Sequence, residues 1–320
     1  MRTAALLAWL AGLTLVVLLI LSQDGAALAA ALGLAGWGAA ALGLAHLMTL
    51  LADTLGWRAL LHPAQRPALS SLLRKRWIGA SINSLLPVAQ LGGEFIRARL
   101  LARSGTGGAA AGASVVVDLT AGMITQGAFA ALGLVLLLHQ LGHASDLREL
   151  TIALLLFALL LAGFVAAQRY GLFVLLARPL GRLASGPAWR GLAGGAAALD
   201  AEIALRYRHG RALARCAAWR GLGWLAGGVE LWLAFLVLGR PVEIAQAIAL
   251  ESLGQAVRSA GFLIPGGLGV QEGGILLGGV WLGLAPETVL AAALLKRARE
   301  VAYGLPGLLA WAYVDRPGAR

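Results

Sequence analysis

Long runs of apolar residues constrain this chain more than any other feature of its sequence. The clearest runs are Ala4–Leu21, Ala109–Leu138, Thr151–Ala167 and Ala212–Leu238. A run of about 18 apolar residues is long enough for a helix to cross a bilayer. Charged residues make up only 13% of the chain, against about 25% in soluble domains. The sequence predicts an all-α polytopic membrane protein with about six to eight transmembrane helices, in one integral membrane domain over residues 1–320.

The loop charges predict the orientation. Arginines dominate Arg58–Arg76 and Gln168–Arg190, whereas His139–Glu149 and Gly239–Glu243 are balanced. Basic loops stay on the cytoplasmic side of a membrane, so the N-terminus is expected to be cytoplasmic. The same rule accounts for the net charge of +11 without a nucleic-acid partner.

Two segments each allow two interpretations. The first apolar run resembles a secretory signal, but its length and the spans that follow favour an uncleaved helix. Leu192–Arg211 is either an amphipathic helix on the cytoplasmic surface or an ordinary solvated helix packed on the bundle. A single cysteine, Cys216, excludes an internal disulfide.

Two further segments do not read as simple spans. Trp77–Leu101 and Ile244–Leu284 each contain a short apolar run, then proline and glycine, then a carboxylate. Non-helical backbone survives at membrane depth only where protein buries it or where it lines a wet cavity. Both segments are therefore predicted to be re-entrant or broken helices, although kinked full spans stay open.

The two segments also resemble each other. "PVAQLGGE" (Pro87–Glu94) and "PGGLGVQE" (Pro265–Glu272) lie 178 residues apart, and Asp118 and Lys296 have the same offset. Three spans lie between them, so the second copy is expected to be inverted. Inverted repeats with broken helices near the membrane midplane are typical of secondary transporters. The predicted repeat halves are residues 31–138 and 209–316.

Seven acids lie within apolar segments: Asp53, Glu94, Asp118, Glu230, Glu251, Glu272 and Glu300. A charge at a lipid-exposed helix centre costs roughly 2.5–3.5 kcal/mol, so we expect most of them to face inward. The spacings suggest three pairs: Glu94 with Arg97, Glu251 with Arg258, and Lys296 with Glu300. Structural ion pairing and a role in binding are both open for these groups.

The broken helix ends expose amide dipoles that can bind a polar head group. The predicted substrate-binding residues are Asn83, Pro87, Gln90, Gly92, Gly93, Glu94, Arg97, Glu251, Gln255, Arg258, Pro265, Gly266, Gly267, Gly269, Gln271 and Glu272. A polar path is predicted through Asp118, Glu230, Lys296, Arg297 and Glu300. No catalytic residue, metal site or cofactor is expected, since the His139–His143 spacing falls in a loop and no nucleotide-binding motif is present.

Three stretches, "NSLLPVAQLGGEFIRARLL", "ESLGQAVRSAGFLIPGGLGVQEGG" and "LLKRAREVAYGLPGLLAW", resemble the flippase-like membrane domain of the lysylphosphatidylglycerol synthase superfamily. The last two are similar to bacterial membrane proteins associated with hopanoid biosynthesis. The resemblance implies a multi-pass protein of the bacterial inner membrane that handles lipids. Larger members attach amino acids to phosphatidylglycerol with a separate soluble domain. No such domain is present in these 320 residues, so that activity is not expected.

The leading hypothesis is translocation of a hopanoid or another polar lipid, with the head group bound between the two broken helices. One alternative is a non-transporting scaffold that recruits lipid-biosynthetic enzymes through Arg178, Arg182 and Arg190. A proton- or cation-coupled small-solute transporter is another, because the same acids could carry protons. A membrane-embedded head-group transferase with Glu272 as general base is the least favoured reading.

Overall fold

A computed structural model of the chain describes residues 2–88, 91–142, 159, 162–174 and 187–314. The helices are α1 (Arg2–Leu21), α2 (Gly25–Ala35), α3 (Ala39–Ala59), α4 (Leu69–Leu85), α5 (Gly92–Ala102), α6 (Gly108–Leu141), α7 (Pro187–Tyr207), α8 (Gly210–Val237), α9 (Ile244–Ala260), α10 (Val270–Trp281) and α11 (Pro286–Val314). Residues 162–169 are also helical. These residues contain no β-strand. Gln90, His143, Arg178, Arg182 and most of Thr151–Ala167 lie outside the described residues.

The all-α polytopic class is confirmed. Among the described residues, α3, α6 and α8 are long and apolar enough to cross a membrane, and the bent pair Leu10–Leu21 and Gly25–Ala35 can supply a fourth span. That pair turns by 101° at Asp24, whose carboxylate caps α2. The predicted number of six to eight spans is higher, because it also counts the two broken segments and Thr151–Ala167, most of which is not described. It further counts α11, which carries a cluster of charges near its middle.

The first broken segment is a helical hairpin. The helix stops at Leu85 and resumes at Gly92, and α4 and α5 then pack side by side. Gly79 lies against the backbone of Gly93, which fixes the two arms in an antiparallel arrangement. With 11 residues, α5 is only about 16 Å long, against a hydrocarbon core of about 30 Å. This arm is too short to cross, so the segment doubles back instead of kinking.

The second broken segment repeats this design. Gly254 on α9 contacts Ile275 on α10, and nearer the tip Gly261 contacts Val270. The tip itself contains a short turn, Pro265–Gly267. Gly266 there has a φ of +59°, a left-handed conformation that favours glycine. The glycines of this stretch therefore serve both the tight tip and the close approach of the two arms.

Each hairpin packs against a long helix from the other part of the chain. Helix α4 packs on α11, α9 packs on α6, and α3 packs on α8. The tip turn of the second hairpin contacts the end of α4, where Gly266 lies against the carbonyl of Ser84. Such reciprocal packing is compatible with an inverted repeat, and the division at residues 31–138 and 209–316 stays a prediction.

Helix α7 settles one of the open readings. Ile203 is fully buried, and Leu199 and Tyr207 pack with it against Ala113 and Val117 of α6. The helix runs from Pro187 to Tyr207, so the predicted bounds of Leu192–Arg211 were wrong. A proline is well suited to the first turn of a helix. The segment is a helix packed on the bundle.

The contact between Gly79 and Gly93 gives a test of the first hairpin. A Cβ atom at Gly93 would overlap the Gly79 carbonyl oxygen. We expect Gly93→Ala to lower the stability of the detergent-solubilised protein by about 1–3 kcal/mol, as overpacking does, seen as a lower thermal midpoint. Gly221→Ala on α8 is the control, because a Cβ there meets nothing within 4 Å. Equal midpoints for the two variants would contradict the hairpin contact.

Candidate functional site

Every acid that the sequence placed inside an apolar segment has a basic partner. For each of the seven acids, a carboxylate oxygen lies within 2.8 Å of a basic nitrogen. Cluster 1 consists of Asp53, Glu94, Asp118, Arg76, Arg97 and Arg220. Cluster 2 consists of Glu230, Glu251, Glu272, Glu300, Arg258, Lys296, Arg297 and Arg299. Each cluster contains as many bases as acids and is therefore neutral.

Asp118 on α6 is the centre of cluster 1 and is fully buried. Its Oδ2 accepts hydrogen bonds from Arg76 Nη1 at 2.7 Å and from Arg97 Nη1 at 2.8 Å. Arg76 comes from α4 and Arg97 from α5, so one carboxylate ties both arms of the first hairpin to α6. The Arg97 guanidinium also lies over the Trp57 ring, 4.5 Å from its centroid, in a cation–π contact.

The rest of cluster 1 reaches α3 and α8. Asp53 on α3 accepts from Arg76 Nη2 at 2.7 Å and pairs with Arg220 Nη1 of α8 at 2.8 Å. Glu94 pairs with Arg97 one turn further along α5, at 2.5 Å. That pair confirms the spacing argument for Glu94 and Arg97. Five helices are therefore held by one neutral group of charges.

In cluster 2, two carboxylates pair with bases on α11. Lys296 Nζ donates to Glu251 Oε2 at 2.5 Å, and Gln255 Nε2 donates to Glu251 Oε1 at 2.9 Å. Arg299 donates twice to Glu230 Oε1, from Nε at 2.8 Å and from Nη2 at 2.5 Å. These bonds tie α11 to α9 and to α8.

The remaining members of cluster 2 hold the second hairpin. Arg297 Nε donates to Glu272 Oε1 at 2.6 Å, and Arg297 Nη1 donates to Glu300 Oε2 at 2.6 Å. Arg258 Nη1 donates to Glu300 Oε1 at 2.8 Å and to Gln271 Oε1 at 2.7 Å. The second oxygen of Glu272 accepts the Gly269 N–H at 2.8 Å. Glu272 therefore caps α10 and fixes the hairpin tip to α11.

A polar cavity of about 290 Å³ lies between the two clusters. Both hairpins line it, together with α3, α6, α8 and α11. Its wall consists of His46, Thr49, Leu50, Asp53, Arg76, Gly79, Ala80, Asn83, Ser84, Glu94, Arg97, Gln126, Trp224, Gln255, Arg258, Ser259, Arg299 and Glu300. Gln126 bridges toward the second hairpin, with Nε2 donating to Ser259 Oγ at 2.5 Å. This cavity is the candidate site.

The structure divides the predicted site residues into two groups. Those in the cavity wall are Asn83, Glu94, Arg97, Gln255, Arg258 and Glu300. Those outside the wall that hold or shape its surroundings are Pro87, Gly92, Gly93, Asp118, Glu230, Glu251, Pro265, Gly266, Gly267, Gly269, Gln271, Glu272, Lys296 and Arg297. Gln90 lies outside the described residues. Glu272, which the sequence made prominent, is a brace of the second hairpin in this arrangement.

Two predicted pairs were wrong. Arg258 does not pair with Glu251 but with Glu300, and Lys296 does not pair with Glu300 but with Glu251. Both true partners lie on another helix. Spacing along one helix shows which groups can meet, but it carries no information about a closer partner across a packed interface.

The sequence also missed several residues of the site. Arg76 was assigned to a basic cytoplasmic region and Arg220 was not among the predicted site residues, yet both lie in helices and pair with Asp53, and Arg76 pairs also with the buried Asp118. A signal for Arg76 was present, because Leu72, Arg76, Gly79 and Asn83 recur at helical spacing on one face of α4. His46, Thr49 and Gln126 were also missed, because single polar residues in apolar helices give no comparable signal. Arg299 was left out of the predicted site although it lies in the charged stretch "LLKRARE".

The cavity offers both hydrogen-bond donors and acceptors where lipid surrounds the protein. The Arg258 guanidinium and the Gln255 amide can donate, and the Glu300 and Glu94 carboxylates can accept. A polar group that leaves water can exchange its hydration for these contacts, which removes most of the cost of burying it. The arrangement can therefore bind a polar or charged group inside a membrane.

Comparison with known proteins supports a lipid-related membrane family. A family model described as the lysylphosphatidylglycerol synthase TM region matches residues 9–307. That range includes both hairpins, both clusters and the whole cavity wall. No curated protein and no solved structure matches the chain. The match is to the family as a whole, so the hopanoid association stays a prediction. The chain belongs to the lysylphosphatidylglycerol synthase transmembrane-region family.

Proposed function

We propose that this protein moves a polar lipid between the two leaflets of the bacterial inner membrane without changing it chemically. The observation that supports the proposal is the polar cavity between two helical hairpins, lined by both of them. In the proposed orientation the N-terminus faces the cytoplasm, and the hairpins enter from opposite faces. The head group then passes from one hairpin to the other through the cavity.

The size of the cavity fits a head group and not a whole lipid. At about 290 Å³, it lies at the lower end of the roughly 300–1,000 Å³ that small-molecule sites occupy. The acyl chains would stay in the surrounding bilayer, and keeping them there costs no free energy. Phe95 at the first hairpin and Leu263 at the second are more than half exposed, as side chains that face lipid should be.

The charges support movement as well as binding. Each cluster is neutral, and the ion pairs that define the clusters join members of one cluster only. Helix α8 supplies Arg220 to cluster 1 and Glu230 to cluster 2, so the two hairpins can shift against each other about this shared helix without separating a buried pair. Breaking such a pair costs about 3–5 kcal/mol, so a route that leaves every pair intact is favoured.

Filling the cavity should stop translocation without disturbing the ion pairs. Ala80 lies in the cavity wall and is exposed to it. We expect Ala80→Phe to reduce the rate of lipid exchange at least about tenfold. A loss of about 1.4 kcal/mol in the binding free energy of the head group already has that effect. The assay follows fluorescently labelled phosphatidylethanolamine, phosphatidylglycerol and a hopanoid polyol in proteoliposomes, by quenching from outside.

Ala302→Phe on α11 is the matched control for this experiment. Ala302 is exposed and lies outside the cavity wall, so exchange should continue. If Ala80→Phe exchanged lipid as fast as Ala302→Phe, the head group would not pass through the cavity.

Arg258 tests the chemistry of the cavity. When Arg258 is replaced by Gln, Glu300 keeps its bond to Arg297, so no carboxylate is left without a partner. A hydrogen bond to a charged group contributes about 1.5–3 kcal/mol, and we expect Arg258→Gln to slow exchange by about tenfold or more. Arg206→Gln is the control, because Arg206 also pairs with an acid, Glu202, on α7.

The masses of the lipids recovered from this assay decide between transport and chemistry. Unchanged masses with slowed exchange in Arg258→Gln are the expected result. A new lipid mass that depends on the protein would instead indicate a head-group transferase. Equal exchange by Arg258→Gln and Arg206→Gln would remove Arg258 from the binding site.

A further inference from the structure

His46 lies where the cavity meets cluster 2. Its side chain is 23% exposed and forms part of the cavity wall. Its Nδ1 lies 3.6 Å from Glu230 Oε2, which is too far for a hydrogen bond, and this buried nitrogen has no hydrogen-bond partner. The other oxygen of Glu230 takes both bonds from Arg299. One carboxylate oxygen therefore faces an imidazole nitrogen across a short gap.

The position of the ring is fixed from its other side. The Tyr303 ring meets the His46 ring edge-on, with centroids 5.4 Å apart. The Tyr303 hydroxyl in turn donates to the carbonyl of Gly43 on α3, at 2.8 Å. The imidazole is thus held between the cavity, where a proton can arrive, and Glu230, which can stabilise a positive charge.

The charges around His46 balance when its ring is neutral. Glu230 faces it from α8. The other charged or titratable groups that line the cavity or adjoin Glu230 or the ring are Asp53 on α3 itself and, on other elements, Arg76, Glu94, Arg97, Arg258, Lys296, Arg299, Glu300 and Tyr303. The acids and bases among the cluster members already balance. A proton on His46 would add a single positive charge to this neutral set, and Glu230 is the acid within ion-pair distance of it.

We propose that His46 is a proton-binding site that couples lipid movement to the transmembrane proton gradient, an inference that rests on the proposed function. The neutral ring takes a proton from the cavity on its unprotonated nitrogen, and both ring nitrogens then carry hydrogen. Nδ1–H donates to Glu230 Oε2 and draws α3 toward α8. Release of the same proton toward the other face restores the neutral ring.

Coupling follows if the protein changes its access readily only when the proton and the lipid are bound together or are both absent. A ligand shifts an equilibrium only by its difference in affinity for the two states. In the proposal that difference lies between the Nδ1–H contact with Glu230 and the open gap that the structure shows. With one proton per lipid, a gradient of one pH unit corresponds to a lipid ratio of about ten between the leaflets.

The experiment uses proteoliposomes with the labelled phosphatidylethanolamine probe and the phosphatidylglycerol and hopanoid probes. The membrane potential is clamped with potassium and valinomycin, and an imposed gradient of one pH unit is followed with an internal dye. We expect the wild-type protein to concentrate at least one probe in one leaflet, by up to about tenfold, and a protonophore to abolish this. His46→Gln should abolish the accumulation that the gradient drives, and its exchange at equal pH is measured beside it. His139→Gln, at an exposed position in the last turn of α6, should behave like the wild type.

The outcomes separate this inference from the proposed function. If the wild type exchanges no probe at equal pH, the proposed function fails and this inference fails with it. If it exchanges a probe but the gradient causes no accumulation, translocation stands and proton coupling is wrong. Accumulation by His46→Gln equal to the wild type would exclude His46 as the proton site. A folded His46→Gln that exchanges no lipid at all would assign His46 to head-group passage instead.

Discussion

The carboxylate of Asp118, shared by Arg76 and Arg97, shows the constraint on which the rest of this structure depends. A lone charge at the membrane centre costs roughly 2.5–3.5 kcal/mol, so seven would cost on the order of 20 kcal/mol, more than the ~5–15 kcal/mol stability of a typical protein. Pairing is therefore a condition for assembly and not an added benefit. Each pair also specifies which helices must lie together, because the partners come mostly from different helices.

The two clusters satisfy this condition with different charges on their long helices. In cluster 1 the long helix α6 supplies the acid, and the hairpin supplies Arg97. In cluster 2 the long helix α11 supplies Lys296 and Arg297, and the hairpin supplies Glu251 and Glu272. The offset of 178 residues accordingly places Asp118 opposite Lys296, an acid against a base, whereas it places Glu94 opposite Glu272, two acids. The sign of the charge therefore differs at one of these matched positions and is kept at the other.

The sequence was sufficient for the local features and insufficient for the contacts between helices. Apolar runs predicted the helices, and proline with glycine predicted the two interruptions. Both features depend on residues that are close together in the sequence. Glu94 and Arg97 were paired correctly since they lie one turn apart on α5. Arg258 was paired wrongly because its partner, Glu300, lies on another helix.

Glu272 shows the same limit at the candidate site. A carboxylate beside a broken backbone was compatible with binding and with structural pairing, and the sequence could not show that its two oxygens accept bonds from Arg297 and from the Gly269 N–H.

A fully paired set of charges also determines which groups are left for function. The carboxylates of members such as Asp118 and Glu272 accept bonds from neighbouring helices, so they hold the cavity in shape. Asn83, Gln255 and Ser259 in the wall are neutral, and they can exchange partners with a bound polar group at low cost. His46 differs from all of these, because it adjoins a balanced cluster and its buried nitrogen has no bond. In a site with no spare charge, one added proton is the smallest change that shifts the balance, and this residue is placed to receive it.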